Sequence, residues 1–101
     1  MSELLVQFDE PIMNPRGEMY FAAAVGRQRA DDGLWEGWLE FEAVDEAAPV
    51  ISSDRETTQP NRREVEYWAQ GLSRVYLQGA LTRAETLARS KGTQPENQFG
   101  E

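Results

Sequence analysis

At 101 residues with no cysteine, no histidine and a net charge of −8, the chain excludes disulfide scaffolds, thiolate catalysis, cysteine zinc sites and histidine-based general acid–base chemistry. A composition of 40% hydrophobic and 28% charged residues, with 10% aromatics, describes one ordinary globular domain and not a disordered chain. No run reaches the roughly 18 apolar residues of a membrane span, and the start Met1-Ser2-Glu3 is acidic where a signal peptide is basic, so a cytoplasmic protein without membrane attachment is expected.

Residues 4–8 read as a short first strand, ended by Asp9-Glu10-Pro11. Residues 9–18, with two prolines and a glycine, read as a loop. Residues 19–28 form a second strand, with Met19, Phe21, Ala23 and Val25 on one face, although three consecutive alanines are poor strand formers. Ala30-Asp31-Asp32-Gly33 is a hairpin signal with glycine at a positive φ.

Residues 34–42 carry the cleanest period of two in the chain. Trp35, Gly37, Leu39 and Phe41 form the core row, and Gly37 leaves a gap that a large side chain from a helix or a neighbouring strand can fill. Residues 43–48 read as a loop and residues 49–53 as a last strand at a sheet edge, because it opens with proline.

Residues 55–63 then join the strand half to the helical half. Asn61 is placed to cap a first helix, with Glu64 closing a capping box and Pro60 and Val65 positioned as a hydrophobic staple. The stripe Val65, Trp68, Ala69, Leu72 has helical spacing, and Gly71 is expected to end the helix in a left-handed conformation. Ser73 recaps a second helix with the stripe Leu77, Ala80, Leu81, Ala84, Leu87, Ala88; a strand over residues 73–77 competes with this reading. Gly79 inside that helix points to a close approach to its backbone. Residues 91–101 turn polar and read as a disordered tail after a single domain spanning residues 1–90. The expected fold is therefore α+β: a three- to four-stranded antiparallel, curled sheet followed by two C-terminal helices packed on one face.

Two segments carry chemistry. The first is the polar hinge: Arg55, Glu56, Thr57, Thr58, Gln59, Asn61, Arg62 and Arg63. Arg62 and Arg63 occupy the first turn of a helix, where positive charge opposes the helix dipole. Either carboxylates offset it, with Asp54, Glu56 and Glu64 as local candidates, or an anion or acidic partner does. The second is the outer row Glu36, Trp38, Glu40 and Glu42. On a wet face, an indole among carboxylates is a common interface pattern that steers a basic partner. The alternative buries Trp38 under the loop at residues 9–18 or against the C-terminal segment. Tyr67, one residue off the helical stripe, is expected to flank the core.

Residues 1–54 hold 12 acids and 3 bases, whereas residues 55–101 hold 6 acids and 7 bases. That asymmetry argues against direct nucleic-acid binding and for a protein partner with a basic surface. The expectation is a small, acidic, non-catalytic protein-interaction module with no catalytic residues, no metal and no cofactor. It would use the Trp-bearing sheet face, the arginine-bearing hinge, or both. One rival is an acidic inhibitor or antitoxin-like protein that competes with nucleic acid for a basic site. Another is a small anion- or nucleotide-binding domain built on residues 55–63. If an edge strand is uncovered, homodimer formation by strand pairing is open to the chain.

Overall fold

The computed structural model describes residues 1–45 and 48–99, with side chains through Ser90. The element order is β1 (Glu3–Gln7), β2 (Ile12–Met13), β3 (Met19–Gln28), β4 (Trp35–Ala43), β5 (Ile51–Ser52), β6 (Thr57–Gln59), α1 (Arg62–Gln70) and α2 (Arg74–Phe99). It is an α+β fold: a six-stranded antiparallel sheet followed by two helices.

Six strands occupy four columns. Long β3 and β4 pair along their whole lengths, from Tyr20 opposite Ala43 to Gln28 opposite Trp35. On one side, β1 pairs with the far part of β3 and β2 with its start, Ile12 opposite Tyr20. On the other, β5 pairs with Glu40 and Phe41, and β6 with Trp35 to Gly37. Each outer column is thus a strand broken in the middle. The sheet has six strands where three to four were expected, and the two surplus strands lie in segments expected to be loop and hinge. The segment at residues 9–18 contains β2, and the hinge contains β6; both are too short to show a period of their own and exist by pairing to β3 and β4.

The hairpin between β3 and β4 turns at Gly33, whose φ of 76° suits glycine. Asp32 accepts from the Leu34 N–H within it at 3.1 Å. A bulge between Leu4 and Val6 lets Leu5 turn inward, where it packs closely beside Gly26.

Both helices lie on one face of the sheet. The core joins Ala22, Ala24, Leu39 and Phe41 from β3 and β4 to Val65, Ala69, Leu77, Ala80, Leu81 and Ala84 from the helices. The small row of β3 faces inward, so Met19, Phe21, Ala23 and Val25 lie on the opposite face. Alanine is tolerated in β3 because its missing bulk is supplied by helices seated close to the sheet. Gly37 serves the same purpose. A Cβ there would meet Trp68 Cζ3 at 2.8 Å and Val65 Cγ2 and Thr57 Cγ2 at 3.1 Å. The gap expected beside Trp35 is filled by α1.

Asn61 caps α1, its side chain accepting from the Glu64 N–H at 2.9 Å. Gly71 ends α1 at φ −92°, not in the left-handed region, with its N–H bonded to the last carbonyls of the helix. Ser73 caps α2 by accepting from the Tyr76 N–H at 3.1 Å, which settles residues 74–77 as helix. Gly79 has no close backbone neighbour: an added Cβ would meet only Arg83 Nη1 at 3.4 Å. The close approach belongs to Gly37. The tail expected over residues 91–101 falls where side chains lie outside the described residues. Among the described residues, no helix is long and apolar enough to cross a membrane.

Candidate functional site

The face of the sheet that the helices leave open is built by alternation. The register sets Arg27 opposite Glu36, Val25 opposite Trp38, Ala23 opposite Glu40 and Phe21 opposite Glu42. From β1, Leu4 lies beside Val25 and Gln7 beside Ala23.

The four residues of the β4 row differ sharply in state. Glu36 is enclosed by guanidinium groups: Arg27 at 3.0 Å, Arg29 at 3.6 Å and Arg55 at 3.8 Å. Arg29 also pairs with Asp32 at 2.7 Å. The charge of Glu36 is therefore satisfied within the chain. Trp38 is half-buried. Arg27 stacks over its ring, 5.7 Å from the centroid, and the indole N–H donates to Glu40 at 3.4 Å. Glu40 and Glu42 form no ion pair among the described residues. Around them stand exposed apolar side chains: Leu4, Phe21 and Val50 are 57%, 38% and 51% accessible. These groups frame a shallow hollow of about 250 Å³ over Ala23, with Val25 also in its wall.

The hinge residues do not form one site. Thr57, Thr58 and Gln59 are β6, and Gln59 donates to Thr57 Oγ1 at 2.7 Å. Arg62 turns to Glu3 at 2.9 Å and Glu66 at 3.3 Å, and lies over Trp35 at 5.9 Å. Its hydrogen bond to Glu3 holds the guanidinium pKa above its ordinary value. Arg55 joins Glu36 on the open face, and Arg63 is exposed without an ion pair among the described residues. The three arginines thus share no partner. The carboxylates that offset Arg62 are Glu3 and Glu66; none of the local candidates Asp54, Glu56 and Glu64 does so.

Glu56 is committed elsewhere. It accepts from the Tyr76 hydroxyl and from Arg83 Nη2 at 2.7 Å, while Arg83 stacks over Tyr76 at 5.6 Å. Burial first, then the hydrogen bond to Glu56, pushes the Tyr76 hydroxyl up to about 12. This contact fastens the link between β5 and β6 to α2. An open groove of about 490 Å³ runs beside it, lined in part by Asp54, Arg55, Thr82 and Leu87. Tyr67, expected at the core boundary, is instead 73% exposed.

Sequence reasoning missed one polar cluster. Asn14 and Glu85 are buried and bonded, Asn14 Nδ2 donating to Glu85 at 2.8 Å and to Glu18 at 2.7 Å. Arg16 reaches both carboxylates, at 3.0 Å to Glu18 and 3.3 Å to Glu85. Hydrogen bonds from Asn14 and Arg16 hold the Glu18 carboxyl below its usual range. The available signal was Glu85 itself, four residues after Leu81 and so on the apolar stripe of α2. A carboxylate there requires a partner. The cluster pins the β2–β3 connection to α2, and no carboxylate is left over to bind a cation. No group of three or more acidic side chains suited to a metal ion occurs among the described residues. No protein-family model, no curated protein and no solved structure matches the chain.

Proposed function

We propose that this chain is a small non-catalytic interaction module that binds a segment of another protein on the open face of its sheet, and that the segment carries apolar and basic side chains. One observation carries the reading. Glu40 and Glu42 stand without ion pairs among exposed Leu4, Phe21 and Val50, on the one layer that no helix covers. Many other acids of this chain are matched internally, as with Glu36, Glu56 and Glu85, and those without an ion pair among the described residues, such as Asp9 and Asp54, lie outside the strands that build this face. Apolar area supplies the affinity of such a surface, and the unmatched acids select the sign of the partner.

A second copy of the chain fits this face poorly. Stacking two such faces about a two-fold axis that passes through this row brings Glu40 and Glu42 against the same residues of the other copy, a like-charge contact. A regular double row of free carboxylates would support the inhibitor reading. Here a single row holds two, because Glu36 is neutralised by arginines.

Panning a displayed random-peptide library on the full chain tests the proposal. Selected peptides are expected to shift the amide resonances of Leu4, Ala23, Glu40 and Glu42 and to lose binding to Phe21→Asp at an unchanged melting temperature. Binders that map to residues 55–63 or to the helices, or a library that yields none, overturn it.

A further inference from the structure

The register of β3 against β4 repeats one arrangement with a part missing. At the first position Arg27 crosses from β3 to β4, lies over Trp38 and donates to Glu36 at 3.0 Å. At the next two acidic positions the residue opposite is Ala23 for Glu40 and Phe21 for Glu42. Neither can supply a cation. Ala23 also leaves a hollow where the stem of a longer side chain would lie, walled by Leu4, Phe21 and Val25 and bordered by the two carboxylates. At about 250 Å³ the hollow falls below the roughly 300–1,000 Å³ of small-molecule sites. It has the dimensions of one side chain's seat.

Resting on the interaction reading above, we infer that the hollow over Ala23 receives one arginine side chain of the partner. Its aliphatic stem lies on Ala23, Leu4 and Val25, and its guanidinium meets Glu40 and Glu42 beside the ring of Phe21. Arginine suits the place better than lysine. Its planar fork spans two carboxylates on alternate residues of one strand, it stacks on an aromatic ring, and it sheds its hydration more readily. Four residues along β3 on the same face, the chain already sets an arginine, Arg27, against a carboxylate and an aromatic ring.

The test compares two peptides titrated into the isotope-labelled full chain. One is acetyl-Ala-Val-Arg-Val-Ala-amide, and the other replaces its arginine by citrulline, which has the same shape without the charge. The arginine peptide is expected to shift the amides of Ala23, Glu40 and Glu42. The citrulline peptide should bind the same place roughly fivefold more weakly, the scale of an exposed charge pair. Glu40→Gln with Glu42→Gln should bring the arginine peptide down to the citrulline level and leave the citrulline peptide unchanged. Ala23→Leu, which fills the hollow, should weaken both. Equal binding of the two peptides at these residues overturns the arginine seat and leaves the interaction face standing. Shifts elsewhere, or none at these residues, overturn the seat, and the library selection then decides separately whether the face binds any peptide.

Discussion

The two faces of β4 come from alternate residues of a single nine-residue strand, yet they obey different rules. On the helix-covered face, Trp35, Gly37, Leu39 and Phe41 are all buried, in one core with residues of α1 and α2. On the open face, Glu36 and Trp38 are tied down by arginines while Glu40 and Glu42 are not. The difference teaches where selection for packing stops. The covered face has little spare capacity, down to a glycine where a methyl group would force Trp68 to shift. The open face keeps apolar area and charge that the fold itself does not use.

Substitutions can break or sharpen that contrast. Phe41→Ala on the covered face should cost about 3–5 kcal/mol in urea unfolding, because it leaves a cavity under α2. Trp38→Ala, three residues away on the open face, should cost only about 1–2 kcal/mol, since its ring is half in water. Near-equal losses would mean that the two faces are not distinct. Gly37→Ala should cost about 1–3 kcal/mol, because the added methyl group meets the rigid ring of Trp68 and Val65. An unchanged urea midpoint would show that α1 can move aside.

The smallest effect concerns how the covered face is fastened. Tyr76 is raised from its ordinary value of 10 to about 12 in the folded chain. A raised phenol favours the neutral form in the native state, so its stabilisation is complete below pH 10 and is lost as pH rises towards 12. Stability measured from pH 9 to 12 should therefore fall, and Tyr76→Phe should flatten part of the fall. Tyr20, also raised, by burial and then by Glu85, accounts for a further part. An identical slope in Tyr76→Phe would rule out a tyrosine–glutamate fastening.

Much of the fold was legible because its signals are local. The period of two in β4, the Asp-Gly turn, the Asn61 cap and the Ser73 cap each report on a few consecutive residues, and each stands where expected. β2 and β6 were not legible, because two or three residues cannot show a period and their stability comes from β3 and β4. Gly71 misled because a glycine after a helix permits a left-handed turn without requiring one. The candidate site was half legible. The row Glu36, Trp38, Glu40, Glu42 does share one face, but its division into satisfied and unsatisfied charge depends on arginines brought in by the fold. Arg62 illustrates the limit. One partner, Glu66, is a helical turn away and visible in the local sequence, but the closer one, Glu3, lies 59 residues away and reaches it only through the fold.

The broken outer columns have a consequence for solubility. An unprotected sheet edge is a template on which further strands can add, and an uninterrupted edge is the most dangerous kind. Here one border is a five-residue strand with a bulge followed by a two-residue strand, and the other offers two residues and then three. An incoming chain would lose register after a few hydrogen bonds on either side. The molecule can therefore leave a partly apolar sheet face in water, because growth by edge-to-edge polymerisation has been made difficult at both borders.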